Sequence, residues 1–143
     1  MISTSPSILK EAWEHYHAAE HLLKVTYPLL KDPKLLLGII TTIYNTLSTA
    51  LNYFLESHYD DQLIQKFHLL QQKKIHLPKE SENLIHSINN LKMQHQQSPI
   101  EFSRKNKMVI CTREYHLQTI SQENIKELLQ KTKETLNYLE SRI

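Results

Sequence analysis

Residues 32–58 are DPKLLLGIITTIYNTLSTALNYFLESH, and this stretch decides the fold. Asp32 followed by Pro33 is typical of a helix start, because a carboxylate caps the first N–H groups and the proline ring fixes a helical φ. Apolar residues then recur at spacings of three and four, which predicts a helix from Asp32 to His58. They form two neighbouring stripes: Leu36, Ile40, Ile43, Leu47, Ala50 and Phe54, and beside them Leu37, Tyr44, Leu51 and Leu55.

Two apolar stripes on one helix indicate contact with more than one neighbouring helix, as in the centre of a bundle. The stretch carries no charge between Lys34 and Glu56, so a membrane span also has to be considered. Interleaved Thr, Asn and Ser residues break the run of about 18 apolar residues that a span requires. We therefore interpret the stretch as a buried helix and predict no membrane span.

The composition is that of one helical domain over residues 1–143. The chain has 40% hydrophobic and 22% charged residues, which are the proportions of a globular protein. One Gly and five Pro leave little turn chemistry for a fold rich in strands. Cys111 is the only cysteine, which excludes an internal disulfide or a cysteine-based zinc site and fits a cytoplasmic location.

Four further helices are predicted around the 32–58 helix. The first runs from Ser5 to about Lys31 and pairs with it in an antiparallel hairpin, since only a few residues separate the two apolar patterns. Pro28 is expected to kink or end that first helix. The three later helices are predicted over 62–74, 81–96 and 121–141, with Ser81 and Ser121 as N-caps.

Residues 98–121 depart from the helical pattern. The run MVIC at 108–111 is apolar and β-branched, and LQTI at 117–120 can pair with it across TREYH. We predict a short β-hairpin or extended insertion near residues 100–120. The predicted fold class is therefore all-α, a bundle of about five helices around a long antiparallel helical hairpin, with this insertion before the last helix.

Glu14, His17 and His21 are spaced to share one face of the first helix. An E-x-x-H pair binds iron in di-iron bundles, but such a site needs a second pair and two further Glu. Only one pair occurs in this chain, so the three residues are interpreted as the exposed side of an amphipathic helix, and no metal is predicted. Gly38 is the only glycine, which excludes the Gly-rich loops that hold nucleotide cofactors.

Positive charge is concentrated in the second part of the chain. Residues 61–143 carry thirteen Lys or Arg against nine acids, whereas residues 1–60 carry four against six. Two of the three arginines lie within residues 104–113, on the segment that departs from the helical pattern. Arg can bind phosphate with two hydrogen bonds and Tyr can stack on a base. The predicted phosphate or partner site consists of Arg104, Lys105, Lys107, Arg113, Tyr115 and His116.

A second interpretation of this basic segment stays open. Charges on a solvated loop also protect an edge strand from aggregation, without any ligand. Cys111 supports no catalytic interpretation, because a cysteine inside an apolar run is usually a small buried hydrophobe. No catalytic residue is predicted from the residue patterns.

Two stretches resemble a family of small helical proteins from archaea. They are AEHLLKVTYPLLKDPKLLLGII at 19–40 and SPIEFSRKNKMVICTREYHLQTISQENIKELL at 98–129, over a third of the chain together. The arrangement of a long helical hairpin followed by further helices is also similar to HEPN-type bundles. That resemblance implies either a toxin ribonuclease or a binding module associated with RNA.

The HEPN nuclease motif is an Arg followed four to six residues later by a His, used in a dimer. Here His116 is three residues after Arg113 and twelve after Arg104, so the motif is absent in its usual form. We expect a non-enzymatic binding or assembly module that contacts RNA or an acidic protein surface through residues 104–113. The alternative is a HEPN-like ribonuclease with a variant Arg113/His116 site. Uncovered apolar stripes on the helical hairpin also predict a homodimer.

Overall fold

Five helices and a small antiparallel sheet make up the residues described in a computed structural model, 7–55 and 62–143. Helices account for 71% of them, so the chain is mainly a helical bundle, as predicted. The all-α class is only partly right, however, because the insertion forms three strands rather than two.

The first helix is continuous but irregular. It comprises α1 (Ser7–His21), a π-helical segment (Leu22–Thr26) and α2 (Tyr27–Leu30). Pro28 does not end this helix. Proline has no backbone N–H to donate, and the wider π-helical turn before it accommodates the missing hydrogen bond. The helix ends where Lys31 adopts a left-handed conformation, with φ of 53°.

The predicted central helix is α3, over Lys34–Leu55, and residues 56–58 of the predicted range lie outside the described residues. Its start is capped as predicted, since the Lys34 N–H donates to the Asp32 carboxylate at 3.0 Å. α3 packs against α1, α4 (Leu63–Gln72), α5 (Lys79–Gln97) and α6 (Gln122–Glu140). Ten of its side chains are buried: Leu36, Leu37, Ile39, Ile40, Ile43, Thr46, Leu47, Ala50, Leu51 and Leu55.

Among the described residues, α3 is the one helix that is both long enough and apolar enough to cross a membrane, with a mean hydropathy of 1.2. A core helix of a bundle meets the same criterion. Half of its most apolar window is buried inside the protein. Its contacts with four other helices fit a core helix.

Of the two predicted serine N-caps, one is confirmed and the other is wrong. Ser121 caps α6 as predicted, because its hydroxyl accepts a hydrogen bond from the Asn124 N–H at 3.2 Å. Ser81 is not a cap, since α5 already begins at Lys79. The Ser81 hydroxyl is instead buried and hydrogen bonded to the Thr135 hydroxyl at 2.7 Å, which joins α5 to α6.

The sheet contains β1 (Ile100–Arg104), β2 (Lys107–Cys111) and β3 (Leu117–Ile120), in that spatial order. The predicted pairing of 108–111 with 117–120 is confirmed, with Met108 opposite Ile120 and Cys111 opposite Leu117. Strand β1 was not predicted. It pairs with β2 across the two-residue turn Lys105–Asn106, where both φ angles are positive, at 50° and 65°. Such turns match the natural twist of paired strands, and Asn tolerates them well.

Gly38 offers a test of the α3 geometry. A Cβ atom built at this exposed position, in the second turn of α3, meets nothing within 4 Å. Gly38→Ala is therefore expected to raise the free energy of unfolding by about 0.5–1 kcal/mol, because alanine loses less backbone entropy in a helix. Urea denaturation measures the change, with Ala50→Gly, at a buried position of the same helix, expected to lower stability. Equal or lower stability of Gly38→Ala would contradict the α3 geometry.

Candidate nucleic-acid interface

The inner face of the sheet closes one side of the helical core. Met108, Ile110 and Ile120 are on this face and are at most 2% exposed. Because side chains alternate between the two faces of a strand, their neighbours point away from the helices. Burial of the inner face therefore fixes which residues face solvent.

Two polar contacts hold the sheet against the helices at different points. The Tyr27 hydroxyl on α2 donates to the main-chain carbonyl of Asn106 in the β1–β2 turn, at 3.3 Å. At the other end of β1, Nδ1 of His95 on α5 lies 2.5 Å from Oε2 of Glu101. Both the turn and the start of β1 are thereby positioned from helices on the bundle.

The opposite side, which we call the open sheet face, is organised in three cross-strand rows. The row next to the β1–β2 turn is cationic, the middle row combines an aromatic ring with smaller side chains, and the far row is apolar. The rows are Arg104–Lys107, Phe102–Val109–Thr119 and Ile100–Cys111–Leu117.

Several large apolar side chains on the open sheet face are exposed to solvent. Ile100 is 57% exposed, Phe102 40% and Leu117 62%. Val109 on the central strand is buried by its neighbours, so it forms a floor between them. A shallow cleft of about 270 Å³ lies over this floor, and Phe102, Arg104, Lys105, Lys107, Val109, Leu117 and Thr119 line it.

The electrostatics of the open sheet face are one-sided. Arg104 and Lys107 lie directly opposite each other, and like charges in this position destabilise a strand pair. No ion pair involves Arg104, Lys105 or Lys107 within residues 7–55 and 62–143, and the three rows contain no acid. An anionic ligand would relieve this repulsion. Protection of the edge strand β1 from aggregation is the alternative reason for the charges.

The six residues of the predicted site form two groups rather than one. Arg104, Lys105 and Lys107 lie together at the β1–β2 turn. Arg113, Tyr115 and His116 belong to the β2–β3 loop, at the other end of β2. β2 lies between the two groups, and the Cα atoms at its two ends are about 13 Å apart, given a rise of about 3.3 Å per residue.

All six predicted side chains are exposed, and Tyr115 most of all, at 85%. The β2–β3 loop is ordered by its backbone, since the Thr112 N–H donates to the His116 carbonyl at 2.9 Å and Tyr115 has a φ of 63°. Neither Arg113 nor His116 lines the cleft on the open sheet face. The first group thus lies in the cleft, and the second borders the far end of the sheet.

The sequence interpretation missed Phe102, Val109, Leu117 and Thr119 as members of this site. Their signal is an alternation of period two. In the stretch IEFSR, Ile100, Phe102 and Arg104 occupy every second position, which is the pattern of a strand with one exposed face.

The other candidate residues lie elsewhere. Glu14, His17 and His21 are exposed on α1, and the described residues contain no group of three or more His, Cys, Asp or Glu side chains placed to hold a metal. Cys111 is half-buried in the apolar row of the open sheet face rather than in the core.

An exposed aromatic ring beside unpaired cations is an arrangement that binds single-stranded nucleic acid. The ring can stack on a base of any identity, and the cations can contact the phosphates on either side of it. Comparisons with protein families, with curated proteins and with solved structures found no match to this chain.

Proposed function

We propose that this protein is a non-enzymatic module that binds single-stranded RNA on its open sheet face. The observation that carries the proposal is the position of Phe102, an exposed ring between an apolar floor and three cations that have no acidic partner among the described residues. In this arrangement Phe102 stacks on a base, while Arg104, Lys105 and Lys107 contact neighbouring phosphates.

Shape favours a single strand over a duplex as the ligand. Recognition of unpaired bases on an open sheet needs a flat platform with an aromatic ring, and the middle row supplies it. A cleft of about 270 Å³ has room for a base-sized group. The bases of a duplex are stacked and paired inside the helix, so they cannot enter such a cleft without being splayed out. An acidic protein surface would use the same cations but would not need the exposed ring, so RNA is the better proposal.

The ribonuclease alternative has no observation in its favour. Arg113 and His116 are exposed on the β2–β3 loop, away from the cleft that Arg104, Lys105 and Lys107 line. General acid–base catalysis would need a substrate pocket at these side chains. A homodimer also stays a prediction, and its apolar contacts would come from exposed Val25, Leu29 and Leu30 on the first helix rather than from α3.

Phe102→Leu tests the proposal, because it keeps an apolar side chain on the strand and removes the ring. Stacking on a base contributes about 1–3 kcal/mol, so the affinity for a fluorescently labelled oligouridine of about 12 nucleotides is expected to fall roughly tenfold. The slope of affinity against salt should not change, since no phosphate contact is lost. Fluorescence anisotropy at several salt concentrations measures both quantities.

Tyr53→Leu is the matched control, because it also removes an aromatic ring and keeps an apolar side chain. Tyr53 is partly exposed near the C-terminal end of α3. The other end of α3 lies beside the sheet, since Lys34 lines a cleft with Glu101 and Met108. Tyr53 is about 28 Å from Lys34 along the helix, at about 1.5 Å per residue. Its affinity for the oligouridine should equal that of the wild type. The proposal fails if the wild-type protein does not retain the oligouridine, or if Phe102→Leu binds it as tightly as the wild type.

A further inference from the structure

A second basic surface lies beside the β1–β2 turn. A groove of about 340 Å³ runs between the first helix and α6, and a smaller cleft of about 300 Å³ continues it to Asn106 in the turn. Pro28 and Gln122 line both, so the two are continuous. We call them together the lateral groove.

Lysines line the whole length of the lateral groove. Lys24, Lys126 and Lys133 lie along its long part, and Lys31 lies at the end next to the turn. Lys31 and Lys133 have no ion-pair partner in the part of the chain that the structure describes. The partner of Lys126 is Glu123, which does not line the groove.

One acid lines the groove, and its charge is already compensated. Nζ of Lys24 donates a hydrogen bond to Glu20 at 3.0 Å, which lowers the pKa of this carboxyl group. Burial raises the pKa of the neighbouring Tyr16 hydroxyl, so this group stays neutral. Glu20 and Lys24 cancel, and Glu123 offsets part of the charge of Lys126 from outside the groove. Among the described residues, the uncompensated positive charge of the groove is therefore that of Lys31 and Lys133, with Lys126 adding a partly compensated charge.

The backbone beside the groove has two unusual features. The π-helical segment Leu22–Thr26 supplies Leu23 and Lys24 to the groove wall, and single π-helical turns occur often at functional sites. Lys31 is held in a left-handed conformation, which costs free energy for a residue other than glycine. Lys31 lies in the cleft beside the β1–β2 turn, and the π-helical segment lies along the long part of the groove.

The lateral groove and the open sheet face meet at the turn. Asn106 lines the groove, while its two neighbours Lys105 and Lys107 line the cleft on the sheet. Tyr27 fixes this junction, because it lines the groove and donates to the Asn106 carbonyl. A chain of phosphates can therefore pass from Arg104 over the turn to Lys31 and on towards Lys133, and the described residues that line this path include no uncompensated acid.

We infer that the RNA strand extends beyond the open sheet face into the lateral groove, so that the ligand is a longer single strand held by two contiguous surfaces. This inference rests on the proposed function, because it takes the sheet face as the first contact. A short oligonucleotide reaches the sheet face alone, whereas a longer one also neutralises lysines of the groove.

The test compares oligouridines of about 4 and about 12 nucleotides, lengths within the range that single-strand binding sites cover. In the variant Lys126→Ala/Lys133→Ala, two phosphate contacts are removed. The affinity for the longer strand is expected to fall about 25-fold at about 0.1 M salt, since each contact on a single strand contributes a salt slope of about 0.7. The affinity for the shorter strand should not change.

The matched control is Lys10→Ala/Lys131→Ala, which removes the same charge from surfaces outside the groove. Lys10 is exposed near the start of α1, and Lys131 lies on α6 but lines a different cleft. Thermal unfolding of both variants should match the wild type, because salt bridges at exposed sites contribute little.

The outcomes separate the two proposals. The extension is supported if Lys126→Ala/Lys133→Ala binds the longer strand more weakly than the wild type but binds the shorter strand equally well, and if the control variant binds both strands as the wild type does. Wild-type binding of both strands with no effect of Lys126→Ala/Lys133→Ala overturns the extension and leaves the sheet face standing. Equal losses in variant and control overturn it as well, because they indicate a general effect of net charge. No binding of either strand by the wild type refutes the proposed function itself.

Discussion

The double substitution Arg104→Ala/Lys107→Ala is expected to lower the affinity for single-stranded RNA about 25-fold at about 0.1 M salt. The two side chains lie opposite each other at the β1–β2 turn, without acidic partners among the described residues. Each phosphate contact releases condensed counterions, which gives a salt slope of about 0.7 per contact on a single strand. Removal of two contacts should therefore also reduce the slope by about 1.4.

The stability of this variant should not fall when its affinity falls. Arg104 and Lys107 repel each other across the strand pair, so their removal relieves a local destabilisation. We expect the thermal midpoint of the double variant to be at least that of the wild type. Weaker binding together with unchanged or greater stability excludes loss of the fold as the cause.

The control for this variant is Lys10→Ala/Lys79→Ala, which changes the net charge equally. Both lysines are exposed near the starts of their helices. Each lies roughly 25 Å or more, measured along the helix at about 1.5 Å per residue, from the helix end that is next to the sheet. Anisotropy titrations over a range of salt concentrations should give wild-type values for this control. Unchanged affinity and slope in Arg104→Ala/Lys107→Ala would remove the basic turn from the binding surface.

Leu47→Ala is expected to lower the free energy of unfolding by about 2–5 kcal/mol. Leu47 is 1% exposed at the middle of α3, where the helix contacts several others. The substitution removes apolar area from the core and leaves a cavity that the surrounding helices fill only in part. Because a domain of this kind is stabilised by about 5–15 kcal/mol in total, the loss is a large share of its stability.

Urea denaturation followed by circular dichroism measures the effect of Leu47→Ala. Leu29→Ala is the matched control, since this leucine is 78% exposed near the end of the first helix. Its free energy of unfolding should lie within about 0.5 kcal/mol of the wild type. If both leucine variants have the stability of the wild type, α3 is not the core helix of a folded bundle.

The main helices and one strand pairing could be predicted from local patterns. The start of α3 at Asp32 and Pro33, the cap of α6 at Ser121 and the pairing of residues 108–111 with 117–120 each depend on a few neighbouring residues. Ser81 illustrates the limit. Its sequence context fits a cap, but its hydroxyl forms a buried hydrogen bond with Thr135, 54 residues away.

The candidate site could be predicted only in part. Its cations were recognised from their density in the sequence, but their grouping was not, because the sequence does not say that β2 separates Arg104 from Arg113. Phe102 was missed because the alternation of Ile100, Phe102 and Arg104 covers only five residues, and it does not say which face of the strand is exposed until the strand has neighbours. Pairing with Val109 and burial of the inner face turn it into an exposed platform.

The amino-acid sequence by itself determined that this protein is mainly helical, with α3 in its core and positive charge concentrated in its second half. These properties follow from periodicity and composition, which need no knowledge of distant contacts. Only the tertiary structure decided which cations face an aromatic ring and which line the lateral groove. That arrangement depends on contacts between residues far apart in the chain, such as Tyr27 with Asn106, and no local pattern specifies them.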